Sequence, residues 1–388
     1  MISVEQALDI IHEQKIETSS KKVALEESHG FYLAREIKSP FDLPSFDNSA
    51  MDGYAVSGVS DTYQIVGEIP AGITTDYSLQ PGEAMRIFTG ARVPQNTSAV
   101  VMQEKTRTDQ STLFVDEAVS KGRHIRRKGN QLESGQRVFS PGHFLSPATI
   151  GLVGSLGIDR VKVFKKPKIR ILSTGDELVP PGSEKSKGQI YESNSYALNA
   201  ALKNFGFDCR EKTHIKDDFS AIKAGIADFL DRSDVLLLSG GISVGDYDFV
   251  KQALEENGIT ELFYKVFQKP GKPLFFGRKE NKFVFALPGN PASSLTCFYI
   301  YVLPFLQKFS GAIETGLKRV LIPVNHDFEY RSDRPVFLKA KVKDQTVSIL
   351  NRQSSSMIHS MATGNALVFL NGPTTLNKGA LVESILIE

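Results

Sequence analysis

Residues 235–248, VLLLSGGISVGDYD, constrain the fold more than any other stretch of the chain. The first four residues are apolar, which predicts a strand with both faces buried, as in a parallel sheet. Ser239, Gly240 and Gly241 follow, and such a turn leaves backbone N–H groups open to a ligand. The stretch therefore predicts an α/β sheet with a binding site at the carboxyl end of this strand.

Polar side chains continue beyond the glycine turn. Ser243 supplies a hydroxyl group, and Asp246 and Asp248 supply carboxylates just before a segment with helical spacing. Because Mg²⁺ binds carboxylate and phosphate oxygens together, the acidic pair predicts a magnesium ion beside a bound phosphate. The alternative is an ordinary strand-to-helix turn, since short glycine motifs often match by chance.

Composition narrows the class of protein. The 388 residues are 41% hydrophobic and 23% charged, which is typical of a globular chain long enough for several domains. A net charge of +2 predicts no nucleic acid and no anionic membrane as partners. Two cysteines form no disulfide framework, and the first residues do not resemble a signal peptide, so we expect a cytoplasmic protein.

Changes of pattern along the chain predict a multi-domain α/β plus β fold with four domains. Residues 1–40 and 141–167 form a helical, linking N-terminal domain, with a capping box at Ser3 and Gln6 and a second helix over 23–34. Residues 41–140 read as short strands and turns, which predicts a mainly β inserted domain.

The second half of the chain divides in the same way. In residues 168–312, strands alternate with helices, which predicts a doubly wound parallel sheet. The last helix of this domain begins after Asn290 as N-cap, with Pro291 in its first turn. Residues 313–388 contain short strands at regular spacing, which predicts a small C-terminal β-barrel.

Several loops leave the carboxyl ends of the predicted parallel strands, and their chemistry converges. One carries Glu177, another carries Lys269 and Lys272, and a third carries Gly289 and Asn290. Each loop has a local explanation as a turn or a helix cap. Together they supply carboxylates for Mg²⁺, N–H groups for phosphate and ammonium groups for an oxyanion, which predicts a phosphate-ester or anhydride site.

Six ordered motifs resemble the molybdopterin molybdenumtransferases and the related half of gephyrin. The motifs are DNSAMDGYA at 47–55, TG at 89–90, STGDEL at 173–178, SGGISVG at 239–245, KPGKP at 269–273 and LPGNP at 287–291. The resemblance implies a homodimer of elongated four-domain subunits. It also implies insertion of molybdate, as substrate, into adenylylated molybdopterin, with Mg²⁺-dependent release of AMP.

The motifs and the resemblance together nominate site residues. The catalytic candidates are Asp52, Thr89, Glu177, Lys269 and Lys272. The substrate-binding candidates are Ser239, Gly240, Gly241, Ser243, Pro273, Gly289, Asn290, Lys339 and Ser355. The metal candidates are Glu177, Asp217, Asp246 and Asp248. The resemblance places Asp52 and Thr89 opposite the partner subunit's site. It also places Lys339 where the family has an arginine. The lysine keeps the positive charge but cannot bind an anion through two parallel hydrogen bonds, as arginine does.

Two other functions stay open at this point. The α/β part alone also resembles molybdopterin adenylyltransferases, although those lack the N-terminal 165 residues and the C-terminal β part. A non-enzymatic scaffold like gephyrin is the second alternative, and the intact acidic and lysine loops argue against it. The sequence leaves open the choice between molybdate and tungstate, and whether a separate adenylyltransferase delivers the substrate.

Overall fold

A computed structural model describes residues 1–73, 76–242 and 249–387. Its α-helices are α1 (Val4–Glu13), α2 (Pro147–Ser155), α3 (Asn194–Asn204), α4 (Phe219–Arg232), α5 (Phe249–Glu256), α6 (Pro291–Cys297), α7 (Leu303–Phe309) and α8 (Ile358–Thr363). A π-helical segment, Phe298–Val302, joins α6 to α7. Within the described ranges, no helix has the length and apolar character needed to cross a membrane.

The strands before the α/β sheet are β1 (Ser20–Ala24), β2 (Ile37–Lys38), β3 (Asn48–Ser49), β4 (Gly53–Val56), β5 (Thr62–Ile69), β6 (Glu83–Ile87), β7 (Ala99–Met102), β8 (Thr106–Asp109), β9 (Thr112–Val115), β10 (Ile125–Arg126), β11 (Arg137–Phe139) and β12 (Arg160–Phe164). The later strands are β13 (Ile169–Thr174), β14 (Leu178–Val179), β15 (Ile190–Tyr191), β16 (Cys209–Ile215), β17 (Val235–Ser239), β18 (Thr260–Tyr264), β19 (Phe275–Lys279), β20 (Lys282–Leu287), β21 (Arg319–Pro323), β22 (Phe328–Tyr330), β23 (Val336–Lys343), β24 (Thr346–Ile349), β25 (Ala366–Leu370), β26 (Thr374–Leu376) and β27 (Leu381–Leu386).

The central sheet has the strand order β16-β13-β17-β20-β19-β18. The first four strands are parallel, as predicted, but β19 pairs antiparallel with both β20 and β18. The prediction of a wholly parallel sheet is therefore wrong at this edge. The physical reason is the short connection between β19 and β20, because a two-residue turn can join only antiparallel strands.

Both faces of this sheet are covered by helices. Along β17, Val235 and Leu237 belong to one hydrophobic cluster with α3, α6 and α7, and Leu236 and Leu238 belong to a second cluster with α4 and α5. This alternation follows from the period of two along a strand, and it explains why all five residues of β17 are buried. The N-terminal helix α1 packs into the first cluster through Val4, Ala7 and Ile11.

The N-terminal part of the chain is a mixture of helix and strand. The predicted capping box at Ser3 and Gln6 is confirmed at the start of α1. The predicted helix over 23–34 is wrong. Val23 instead pairs with Val161 in a ladder of β1 and β12, and Leu33 bridges Val163 of the same strand. Long-range pairing overrides the local helical pattern here, because it buries both side chains.

Two further large sheets lie before and after the central one in the chain. Between β4 and β9, a six-stranded sheet has the order β7-β4-β6-β5-β9-β8. In the C-terminal part, a five-stranded sheet has the order β21-β27-β25-β23-β24. This last sheet is curled, since Val324 at the end of β21 bridges Val347 in β24 at the opposite edge. The described chain is thus a multi-domain α/β structure with a β-rich C-terminal domain.

Aromatic side chains fill the cluster beneath the central sheet. The Phe305 ring lies 4.7 Å from Phe283 and 5.4 Å from both Phe276 and Phe285, measured between ring centroids. Replacing Phe305 with alanine removes these contacts and leaves a cavity that rigid strands cannot fill. We expect Phe305→Ala to lower the free energy of unfolding by about 3–5 kcal/mol in chemical denaturation.

Phe114 is the matched control, because it is 37% exposed on β9. We expect Phe114→Ala to cost less than about 1 kcal/mol. Equal losses in the two variants would contradict the assignment of Phe305 to the central core.

Candidate active site

A cavity of about 660 Å³ opens where β13, β17 and β20 end. Its lining residues come from the loops that follow these strands and β16, from the start of α3, and from Pro273 and Ser356. The candidates among them are Glu177, Asp217, Ser239, Gly240, Gly241, Pro273, Gly289 and Asn290. The structure therefore brings together eight of the residues nominated from sequence, as expected for loops at one edge of an α/β sheet.

The glycine turn packs against the end of the neighbouring strand. Gly240 has φ +94°, and a Cβ atom there would lie 2.4 Å from the carbonyl oxygen of Thr174. A Cβ atom on Gly241 would lie 2.5 Å from Val250 and 2.7 Å from the Thr174 hydroxyl oxygen. Both positions therefore require glycine, because the backbone has a positive φ and because a side chain would clash with the end of β13 or with Val250.

Asn194 is a site residue that the sequence reasoning missed. Its amide nitrogen donates to the hydroxyl oxygen of Ser239 at 2.9 Å and to the carbonyl oxygen of Gly289 at 2.7 Å. Its buried carbonyl oxygen accepts no hydrogen bond from the described residues. The pair Ser193–Asn194 in the sequence is typical of a helix cap, but neither side chain caps α3; Glu192 instead accepts from the Ser195 N–H and hydroxyl.

Carboxylates gather on one side of the cavity. The backbone N–H of Asp217 donates to Asp176 at 3.1 Å, and Glu177 belongs to the same lining. Burial raises the pKa of Asp217, and the charges of Asp176 and Glu177 add to the rise. This side of the cavity therefore concentrates negative charge.

The magnesium prediction rests on an incomplete set of residues. Ser243, Asp246 and Asp248 lie outside the described residues. Within 1–73, 76–242 and 249–387, no three His, Cys, Asp or Glu side chains come close enough to hold a metal ion together. Glu177 and Asp217 do offer hard oxygen donors in the cavity, and Mg²⁺ commonly takes one or two carboxylates beside substrate phosphates.

The two candidate lysines lie on the loop before Pro273. The Lys269 N–H donates to Pro335 at 2.8 Å, and its carbonyl oxygen accepts from the Phe337 N–H at 2.8 Å, so this loop pairs with the start of β23. The side chains of Lys269 and Lys272 form no hydrogen bond or ion pair with the part of the chain that the structure describes. Neither lysine is among the residues that line the cavity, which this loop enters at Pro273, and both ammonium groups are unpaired within the described chain.

The C-terminal domain meets the cavity at a second place. Asn290 takes the N-cap position of α6, but its amide donates to the Ser355 hydroxyl at 3.1 Å instead of capping the helix. Lys339 is 2% exposed, and its ammonium group donates to the Ser354 carbonyl at 2.8 Å and to the Met357 carbonyl. Burial lowers the pKa of Lys339. Lys339 thus lies behind the serine segment, residues 354–356, of which only Ser356 lines the cavity; neither Lys339 nor Ser355 belongs to the lining.

Asp52 and Thr89 form a separate pair in the six-stranded sheet. One carboxylate oxygen of Asp52 accepts from the Thr89 N–H and hydroxyl, both at 2.7 Å. These two hydrogen bonds lower the pKa of Asp52, and Arg86 lowers it further. Neither residue lines the cavity of its own chain.

Comparison with known proteins places the chain in a family. Residues 2–157 match the MoeA N-terminal region (domain I and II), and residues 170–308 match the probable molybdopterin binding domain. The molybdopterin molybdenumtransferase of Haemophilus influenzae is 37% identical over 318 residues, which cover 80% of this chain and 78% of that protein. The chain belongs to the molybdopterin molybdenumtransferase family. The resemblance predicted from six motifs is confirmed.

Full-length matches agree with this membership in the molybdopterin molybdenumtransferase family. The Staphylococcus aureus member is 29% identical over 401 residues, which cover 100% of this chain and 96% of that protein. The crystal structure of the molybdopterin biosynthesis MoeA protein of Pyrococcus horikoshii OT3 superposes with a TM-score of 0.86 at 27% identity and covers 100% of both chains. The predicted assignment to the transferases of molybdenum cofactor biosynthesis is therefore confirmed at the level of the family.

The glycine turn offers a direct test of the cavity geometry. Gly182 has φ +90°, and no atom lies within 4 Å of the position that a Cβ atom would take, so Gly182→Ala carries only the backbone strain. Gly240→Ala adds a clash with the Thr174 carbonyl. We expect Gly240→Ala to lower the free energy of unfolding by about 1–3 kcal/mol more than Gly182→Ala. Equal losses in denaturant titrations would show that Gly240 is needed for conformation alone.

Proposed function

We propose that this protein inserts molybdate into adenylylated molybdopterin and releases AMP, forming molybdenum cofactor. One observation carries the proposal. The glycine turn, three carboxylates and two asparagine side chains line a single cavity at the carboxyl ends of the parallel strands. Family membership supports the same activity, since the related proteins bear the name molybdopterin molybdenumtransferase.

The phosphate and pterin groups need donors and acceptors in fixed positions. Backbone N–H groups of the turn at Gly240 and Gly241 suit phosphate oxygens. The buried amide oxygen of Asn194 has no partner among the described residues, so it suits a hydrogen-bond donor of a bound pterin. Leaving such atoms unpaired costs free energy, which a substrate hydrogen bond would recover.

Molybdate and the pterin dithiolate are both anionic, so their approach requires positive charge. Lys269 and Lys272 supply two ammonium groups on a loop that leads directly into the cavity at Pro273. Fixed cations stabilise charge in a transition state without reorganisation, which is the usual role of an oxyanion site. Ser355 supplies a hydroxyl from the C-terminal domain, and Lys339 supports that segment from behind.

Glu177 and Asp217 would hold Mg²⁺, with Asp246 and Asp248 as further ligands. When bound, Mg²⁺ neutralises charge on the phosphate oxygens. The two described carboxylates fit this ion, because they are oxygen donors at the same side of the cavity. Without a cation their charges repel one another and any bound phosphate.

The pair Asp52–Thr89 suggests how a second subunit takes part. Its hydrogen bonds use one carboxylate oxygen of Asp52 and hold the group ionised, yet it does not line the cavity of its own chain. We therefore place it opposite the cavity of the partner subunit in a homodimer. A separate adenylyltransferase that delivers the substrate, and a cytoplasmic location, complete the proposal.

Lys272→Met tests the oxyanion role, since methionine keeps most of the apolar stem and removes the charge. We expect the half-saturating molybdate concentration to rise and the rate of AMP release to fall by about 100-fold, the scale of losing one oxyanion donor. The assay titrates molybdate against protein loaded with adenylylated pterin and Mg²⁺. Lys121→Met, at an exposed turn, is the control and should behave as wild type. Wild-type kinetics in Lys272→Met would leave the lysine a structural turn residue.

Mixed dimers test the shared site. Asp52→Ala and Lys272→Ala should each be inactive alone, because each removes one face of both sites. After subunit exchange, a mixed dimer contains one site with both faces intact, so about half of the wild-type activity per mixed dimer should return. Mass spectrometry checks the exchange itself. Complete exchange without recovered activity would rule out a site built from two subunits.

A further inference from the structure

The loop with Lys269 and Lys272 rests on a buried amide. Gln268 is 0% exposed, and its side-chain nitrogen donates to the carbonyl oxygens of Pro270 at 3.1 Å and Gly271 at 3.3 Å. These two carbonyl groups form the turn between the lysines. Gln268 therefore satisfies the backbone of the turn from the protein side, where water has no access.

Tyr301 fixes which way this amide points. Its hydroxyl donates to the side-chain oxygen of Gln268, and it is itself 0% exposed. Burial raises the pKa of Tyr301 well above its usual value, so the hydroxyl stays protonated and acts as a donor. Since the amide oxygen is occupied by Tyr301, the amide nitrogen must face the turn.

The turn has no space to move toward this pair. A Cβ atom on Gly271, where φ is +86°, would lie 2.5 Å from the Cys297 sulfur and 3.0 Å from the Gln268 side-chain nitrogen. The far end of the loop is held as well, because the Lys272 carbonyl accepts from the Val266 N–H at 3.0 Å. Contacts on both sides of the turn thus determine where the lysine side chains begin.

The tyrosine lies on an irregular part of a helix. Tyr301 lies in the π-helical segment Phe298–Val302, within the long helix that starts beside the cavity at Pro291. Such π-helical turns occur frequently at functional sites, because they redirect side chains within a helix. The residues around it belong to an apolar cluster, where a hydrocarbon side chain would pack without needing a partner. Packing alone therefore does not explain a hydrogen-bonded glutamine–tyrosine pair at this position, whereas such a pair can hold the loop in one conformation.

We propose that Gln268 and Tyr301 are positioning residues that set the place of the Lys269 and Lys272 ammonium groups on the loop that enters the cavity at Pro273. The inference rests on the proposed role of these lysines toward molybdate. It predicts that removing one buried hydroxyl, far along the chain from the lysines, changes the use of molybdate.

Tyr301→Phe removes the hydroxyl and keeps the ring. We expect the half-saturating molybdate concentration to rise and the rate of AMP release to fall by about 10-fold, because small misplacements of catalytic groups are costly. Tyr63→Phe is the matched control. Its hydroxyl is also buried, accepting from the Ser60 N–H and donating to Gly58 in the six-stranded sheet. Tyr63→Phe should lose thermal stability to a similar extent and keep wild-type kinetics.

A double-mutant cycle separates positioning from general destabilisation. If Tyr301 acts through Lys269 and Lys272, then Tyr301→Phe should cause a smaller fold-loss in a Lys272→Met background than in the wild type, because only Lys269 remains to be misplaced. Losses that multiply in the double variant, or wild-type kinetics in Tyr301→Phe, would overturn the inference. Gln268→Met provides a second variant and should show the same pattern if it folds.

Different measurements test the oxyanion role of Lys272 and the positioning role of Tyr301. Wild-type kinetics in Lys272→Met would refute the oxyanion role, and the positioning role would then be judged by labelling of the apoprotein. Mass spectrometry measures the extent of acylation of Lys269 and Lys272, with Lys121 in the same sample as the reference. This extent should differ between Tyr301→Phe and the wild type. Unchanged labelling of both loop lysines in that case would overturn the positioning role.

Discussion

The close contact between Gly240 and Thr174 is the constraint on which the rest of the site depends. A Cβ atom at Gly240 would lie 2.4 Å from the Thr174 carbonyl oxygen, so the turn after β17 lies directly against the end of β13. Gly240 and Gly241 line the cavity, and Ser239 just before them accepts from the Asn194 amide. Asn194 in turn holds Gly289, at the end of β20. Three strand ends are thereby tied into one wall.

The C-terminal domain contacts two loops beside the cavity. Its strand β23 pairs with the Lys269 main chain, and its serine segment receives the Asn290 amide. The buried Lys339 holds that segment through two carbonyl groups. The C-terminal domain therefore contacts two of the loops beside the cavity, and its Ser356 is part of the lining.

Charge is distributed unevenly around the cavity. Asp176, Glu177 and Asp217 gather at one side, where burial and mutual repulsion raise the pKa of Asp217. The lysines stand on a different loop and have no acidic partner among the described residues. Separation keeps the opposite charges from pairing with each other, because a lysine already in an ion pair would be less available to an oxyanion. The fold holds them apart by placing them on loops that follow different strands.

The sequence by itself determined the features that are local. The apolar run of β17, the glycine turn, the capping box of α1 and the family motifs all depend on residues close together in the chain. Tertiary structure alone decided the pairing of Val23 with Val161, the antiparallel edge of the sheet, and the place of Lys339 behind the serine segment. It also decided the partners of Asn194 and Gln268, which lie 45 and 33 residues away. Such contacts leave no periodic pattern, since a single polar side chain finds its partner only after both strands and helices have packed.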